Sequence, residues 1–432
     1  MQFPSKLLAL LALTLGGLGS TGLRAQSYYI LTDVGTLGGN QSWVNAMNAS
    51  GQAVGYSYTV SGNVHAFLYD GKMHDLGTLG GASSVAQGIN DSGVVAGYSS
   101  PTGQDGTEHG FFYNGTMHDL GSLGGNFTDV RGLNNSGEIV GASQEMGDTV
   151  WVAFYYASGT MTGLGNLGGS QTYAQAVNVS GQIAGFTLSM NGHTQPWLYS
   201  NGNLTNLGTL GGDYGVAYAM NSAGHVVGDS TNADPSLQTA FLYDGTMHNL
   251  GTIGGNYSGG YGINTAGVIV GGSTIPVAET EHAMRYASGV MTDLNKLGIA
   301  GGAGWTLERA TAINDAGQIA GYGKNPQGVY HGFILTPLLK PAVPKITAQP
   351  AGLAAKKGAT VKFTVKATST APLAYVWKKD NVSLKNGAKI SGATSASLTL
   401  KNVIKASAGK YRVVVSNIVG NTTSAVAKLT VN

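Results

Sequence analysis

The segment Asp75-Leu76-Gly77-Thr78-Leu79-Gly80-Gly81 returns along this chain at an almost constant interval. The equivalent Val or Leu stands at Val34, Leu76, Leu120, Leu164, Leu207, Leu250 and Leu294, in steps of 42, 44, 44, 43, 43 and 44 residues. A period of this size means that one supersecondary unit is used repeatedly, each copy burying its apolar face against its neighbours. Other phrases keep step. Asn-x-Ser/Ala-Gly turns or close variants occur at 48–51, 90–93, 134–137, 178–181, 221–224, 264–267 and 314–317. Asn opens such a turn through its side chain, and Gly closes it at positive φ.

The flanks of that turn are short apolar runs of strand length, such as Ala86–Ile89 and Val94–Tyr98. A third phrase, His65-Ala66-Phe67-Leu68-Tyr69, has relatives beginning near His109, Val152, Gln195, Thr239, His282 and His331. Its alternating aromatics predict a half-buried strand. Met73-His74-Asp75-Leu76 then supplies a short fourth strand. Each unit therefore offers four strands: a before the Asn turn, b after it, c at His-Ala-Phe and d at Met-His-Asp-Leu. Four strands in some forty residues is the size of a propeller blade. The last strand c, at His331, has no strand d after it, while Tyr28–Gly35 is an orphan strand d at the start. The expected fold is all-β: a seven-bladed β-propeller closed by the N-terminal strand, with an open β-solenoid as the alternative.

Taken together, the His-Ala-Phe strand, the Asp-Leu-Gly-Thr-Leu-Gly-Gly phrase and the Ile89-Asn90-Asp91-Ser92-Gly93 turn resemble the HAF-repeat family of bacterial extracellular proteins over about Ser27 to Pro337. The resemblance implies secretion and a bacterial source, and brings no reaction or site residue with it. Val152 and Gln195 stand where the pattern has His, so that His is an unsuitable catalytic group.

The region after 336 differs. Pro337, Pro341, Pro344 and Pro350 mark a linker over 337–350. Residues 351–432 resemble the immunoglobulin superfamily, of I-set-like type. Val361–Val365 matches strand B, Trp377 the core Trp of strand C, and Ala408–Val413 the tyrosine-corner segment with Tyr411. Val365 and Val413 occupy the two cysteine positions, so apolar packing replaces the disulfide. From Leu339 onward fifteen basic residues face one acid, Asp380, a net of +14; the rest carries −12. Such a basic domain can attract anionic glycans, or simply present solvated strand faces.

At the other end, Lys6, an apolar run over 7–18 and Leu23-Arg24-Ala25 read as a signal peptide over 1–25. The run is short for a bilayer span, so a secreted protein, extracellular, periplasmic or cell-surface, is expected without a transmembrane segment. With no Cys in the chain, thiolate metal sites and thiol catalysis are excluded. The nine His residues all lie in the repeat, and equivalent ones fall on different copies, which disfavours a convergent metal site.

No catalytic residue, metal or cofactor is assigned, and no nucleic-acid partner is expected. One constellation stands out. Between the Gly-Gly pair and strand a, six copies carry an aromatic: Trp43, Phe127, Tyr173, Tyr214, Tyr257 and Trp305. On innermost strands these rings would gather around a channel mouth and suit sugar stacking; the structural alternative is packing between blades. The variable loop between strands b and c is a second candidate. The expected function is a secreted, non-catalytic binding or surface-interaction protein recognising glycan or protein. The alternatives are a polysaccharide-active propeller hydrolase or lyase, and a structural matrix or envelope component. An enzyme would break the repeat symmetry with acids present in one copy; Glu308 and His225 are the hints of this.

Overall fold

The computed structural model describes residues 28–103, 106–147, 150–165, 168–276, 280–338, 342–417 and 419–432; the signal-peptide assignment lies outside them. All regular elements are strands apart from two short 3-10 turns. Unit one has strands a to d at Gly38–Met47, Ala53–Thr59, Val64–Tyr69 and Met73–Asp75, each antiparallel to the next. The same order recurs to unit six, at Ser258–Ile263, Ile269–Thr274, Glu281–Ala287 and Val290–Asp293. Unit seven contributes Thr306–Ile313, Ile319–Lys324 and Tyr330–Leu338, and the opening strand Tyr28–Asp33 pairs antiparallel with the last of these.

The structure corrects the expected fold class. The repeat does not form seven separate four-stranded blades but five hydrogen-bonded sheets in series, and none of them closes on itself as a barrel. Parallel bridges, Val64 to Ser83 and Thr194 to Tyr214, fuse units one with two and four with five into eight-stranded sheets. The last sheet gains a fifth strand, Gly298–Ala300, beside Tyr28–Asp33. The reason is local: each strand a starts against the outgoing strand c of the unit before, and where backbones approach closely enough they bond. The open-solenoid alternative fares no better, because pairing within every unit is antiparallel. Its coils would stack as parallel neighbours.

The packing between units explains the recurring phrases. Ala66 and Phe67, adjacent in strand c, are both fully buried, as are Ala153 and Phe154, and Ala240 and Phe241. Neighbouring residues point to opposite faces, so both faces of strand c are covered and the strand is more than half-buried. Core clusters mix residues of successive units: Val54 and Ala66 pack with Ala86, Val95 and Phe111. The crossing phrase is stapled by a hydroxyl. Ser84 Oγ donates to the Gly77 carbonyl at 2.6 Å and accepts the Ala66 amide at 2.8 Å.

The motif His is held by the motif Asp. His65–Asp75, His109–Asp119, His282–Asp293 and His331–Asp33 pair at 2.8–3.0 Å. The Asp also accepts a backbone amide two residues on, Gly77 in unit one. Where His is lost, Asp is lost with it: Val152 stands with Gly163, and Gln195 with Asn206.

The turn asparagines do more than close turns. Asn48 donates to the Asn90 carbonyl, and so on through Asn134, Asn178, Asn221, Asn264 and Asn314, at 2.8–3.3 Å. Asn314 then donates to the Asn48 carbonyl at 3.2 Å. These side chains are buried, and each gives a second donor to a carbonyl that already accepts the Gly amide closing its own turn.

The C-terminal part is a two-sheet sandwich. One sheet runs Leu353–Ala355, Ala427–Val431, Gly409–Asn417, Ala374–Lys379 and Val382–Ser383, with Gly420–Thr423 beside Gly409–Asn417; a smaller one holds Val361–Thr364, Ser397–Leu400 and Ile390–Ser391, and a two-stranded ribbon pairs Lys345–Ala348 with Lys366–Thr368. Trp377 is fully buried and donates from Nε1 to the Ser395 carbonyl at 2.9 Å. Tyr411 donates to the Ser407 carbonyl at 2.7 Å and stacks on Phe363. Val365 and Val413 are buried among these rings, filling the place of a disulfide.

Candidate functional site

Strand a carries a register shift at the same place in every unit: Val44/Ala46, Ala86/Gly88, Val130/Gly132, Ala174/Ala176, Ala217/Ala219, Gly260/Gly262 and Ala310/Ala312. A bulge leaves one residue unpaired and re-aims its side chain. The extra residues are Asn45, Gln87, Arg131, Gln175, Tyr218, Tyr261 and Thr311, each three positions before the turn Asn. All seven line one cavity of about 750 Å³. Residues next to the bulge are small because the strands crowd there. A Cβ on Gly262 would lie 3.2 Å from the Thr311 carbonyl and the Ala312 Cα.

The bulge position is where the copies differ most in chemistry: amides and Arg131 in units one to four, tyrosines in units five and six. Nothing in the repeated phrases singles it out. Its flanking residues are Val, Ala or Gly in every copy, a pattern that does not by itself mark a bulge. A second, smaller cavity of about 240 Å³ is lined by the asparagine turns themselves.

The six sequence-predicted aromatics do not share one position. Trp43 and Tyr173 pair with Tyr56 and Phe186. Tyr214 and Tyr257 sit two residues before the corresponding positions, Val216 and Gly259. All six are half-buried. Trp43 and Tyr214 line the large cavity. Trp43 stacks between Tyr56 at 4.9 Å and Tyr330 at 5.8 Å, and Tyr173 stacks on the cavity residue Phe186 at 4.8 Å. Phe127 packs beside Trp151, and Trp305 meets His331 edge-on at 6.5 Å. The structure therefore brings two of the six to the cavity wall and places a third behind it.

The sequence reading missed the polar groups that break the repeat symmetry. Asp229, on strand b of unit five (Val226–Asn232), is 1% exposed. It accepts from the Tyr257 hydroxyl at 3.1 Å and from Tyr218 at 3.5 Å, both on Oδ2, while Oδ1 is buried without a partner. Burial pushes its carboxyl up to about 7, against the pull of the Tyr257 hydrogen bond. Tyr257 in turn hydrogen-bonds Tyr261. Burial raises Tyr218, Tyr257 and Tyr261 too, which keeps them protonated donors.

Gly259 makes room for this cluster: a Cβ there would lie 2.7 Å from the Tyr261 hydroxyl and 2.9 Å from that of Tyr257. The Arg309 guanidinium covers Tyr261 at 4.6 Å and makes a bidentate pair with Glu281 at 2.8 and 2.6 Å. Burial works against that cation, but the Glu281 hydrogen bonds hold its pKa above the ordinary value. Across the cavity wall, Arg131 pairs with Asp129 at 2.7 Å, and burial raises the Asp129 carboxyl.

Both cavity arginines are thus neutralised by carboxylates. Chemically the wall offers aromatic faces, amides and paired planar charges, which suits a neutral hydroxyl-rich ligand better than an ion. The two hints from sequence resolve otherwise: Glu308 pairs with Lys324 at 2.9 Å, and the His225 amide donates into the asparagine turn. Among the described residues no group of three or more His, Asp or Glu is arranged to hold a metal, and no helix is long and apolar enough to cross a membrane.

Comparison with known proteins bears on the other end of the chain. The immunoglobulin I-set domain family matches residues 344–431. Leucine-rich repeats and immunoglobulin-like domains protein 3 of Mus musculus is 37% identical over 115 residues, 23% of this chain and 10% of that protein. The Homo sapiens protein of that name is 36% identical with the same coverage. The chain thus spans about a tenth of the length of these curated relatives. A chimeric titin Z1Z2 structure is 26% identical, covering 21% of this chain and 96% of that chain with a TM-score of 0.19. For the twitchin kinase region of C. elegans the figures are 24%, 21%, 17% and 0.20. The chain therefore carries an immunoglobulin domain of the I-set type at residues 344–431.

Proposed function

We propose that this is a secreted bacterial binding protein of the HAF-repeat kind, in which residues 27–336 hold a ligand and residues 351–432 serve as an interaction module. The carrying observation is the ring of bulge residues: seven equivalent positions aimed into one cavity, each with its own chemistry. A scaffold role alone gives no reason for such variety at a position so strictly placed. The preferred ligand is a neutral glycan, with Tyr56 and Tyr322 as stacking faces and Gln87 and Gln175 as hydrogen-bonding groups.

The test is a neutral-glycan array with the mature chain, followed by calorimetry on any hit. Tyr322→Ala should weaken binding about threefold to tenfold, and Gln175→Ala should shift preference among sugars. Failure to bind any neutral glycan, or binding untouched by every cavity variant, overturns the reading. A polysaccharide-active enzyme is the second reading, favoured by the single-copy Asp229 with its raised carboxyl. Shortened oligosaccharide products in the same mixtures, abolished by Asp229→Asn, would establish it.

A further inference from the structure

In the larger sheet of the sandwich, Lys410 stands directly opposite Lys428, and Arg412 directly opposite Lys378. Tyr411, Val413, Trp377, Ala427 and Leu429 point into the core, so by strand alternation these four cations share the outer face. Like charges directly opposite each other destabilise a sheet. Nothing nearby offsets them. Asp380 is the single acid from residue 339 onward, and its Oδ1 accepts the Lys410 backbone amide. Among the described residues no salt bridge falls in the sandwich.

We infer that this face binds a linear anionic polysaccharide, whose charges bridge the two cationic pairs. Neighbouring strands lie about 4.8 Å apart, and Lys410 and Arg412 are two residues apart on the strand shared by both pairs, so the four cations form a close stepped cluster. The occupant is argued from charge complementarity and from what the face lacks. Its other outward residues on these strands are Ala374, Val376, Val414, Ser416 and Thr430, with no aromatic to stack a base, so single-stranded nucleic acid is a poor fit. Six of the repeat's acids, Asp33, Asp75, Asp119, Asp129, Glu281 and Glu308, are poor substitutes because they already hold cationic or His partners. The inference is independent of the cavity in the repeat.

The test immobilises alginate, dextran sulfate and neutral dextran and measures binding of the full mature chain by interferometry. Binding to alginate or dextran sulfate and not to dextran is expected; the two polyanions distinguish carboxylate from sulfate preference. A variant combining Lys378→Gln, Lys410→Gln, Arg412→Gln and Lys428→Gln should lose more than about tenfold in affinity and flatten the salt dependence. Its melting temperature should hold or rise, because repulsion has been removed. A control with Lys362→Gln, Lys366→Gln, Lys389→Gln and Lys401→Gln, elsewhere on the sandwich, should lose much less. Equal losses in both variants, equal binding to neutral dextran, preference for a single-stranded oligonucleotide, or no polyanion binding would overturn it.

Discussion

Replacing Asp229 by Asn isolates the energetic cost of the buried carboxyl beside the cavity tyrosines. In the unfolded chain an Asp titrates near 3.9; in the fold Asp229 is pushed up to about 7 by burial. The sign follows from that direction. Below about pH 4 the group is protonated in both states and contributes no pH-dependent term. As pH rises, the unfolded state loses its proton first, so the fold is penalised progressively up to about pH 7 and constantly above it. Three units at 1.36 kcal/mol each give about 4 kcal/mol of destabilisation at pH 8. Asn keeps the oxygen that accepts from Tyr257 but places an amide where Oδ1 has no partner, which costs about 1 kcal/mol. Asp229→Asn should therefore be about 3 kcal/mol more stable than the parent at pH 8, and equal or slightly less stable at pH 4. Urea unfolding at unit pH steps measures the difference, in which every other titration cancels. A difference that stays flat from pH 4 to pH 8 refutes the reasoning.

The asparagine circuit predicts that Asn314→Ala costs as much as Asn134→Ala, about 1–2 kcal/mol each by chemical denaturation, since each removes the second donor to the next turn's carbonyl and strands an amide of its own turn. If the link from Asn314 back to Asn48 is not made, Asn314→Ala will be clearly the milder change. Burial opposes it, but hydrogen bonds from His331 and the Gly35 amide hold the Asp33 carboxyl below its usual range. That contribution is present above about pH 4 and is lost as pH falls through the depressed value. Asp33→Asn should remove this share of the acid sensitivity, as seen in unfolding midpoints between pH 2 and pH 5. Tyr411→Phe should lower sandwich stability by about 1 kcal/mol through loss of the Ser407 bond, with little change to the repeat.

Much of the fold was legible because the repeat is written in local chemistry. The Asn-x-Ser/Ala-Gly turns, the strand lengths and the pairing of first strand with last unit all follow from neighbours in sequence and from the count of phrases. Even the His and Asp roles were recoverable: His65 with Asp75 and Gln195 with Asn206 change together between copies. The half-buried reading of strand c failed because alternation reports one face at a time. Only packing against both neighbouring units shows that Ala66 and Phe67 are covered together. The count of sheets failed similarly, since whether strand c bonds to the next strand a depends on how closely the backbones of successive units approach.

The sequence by itself determined an all-β chain with a forty-odd-residue register, a cysteine-free sandwich built on Trp377 and Tyr411, and a sharp division of charge. Tertiary structure decided where function can sit. One bulged residue per strand turns Asn45, Gln87, Arg131, Gln175, Tyr218, Tyr261 and Thr311 into a single wall, though nothing in a strand's own pattern marks a bulge. Asp229, Tyr257, Glu281 and Arg309 come from three units and meet only because those units pack side by side. Backbone periodicity is a property of neighbours along the chain. A site is a property of neighbours in space, and here the two coincide only at the turns.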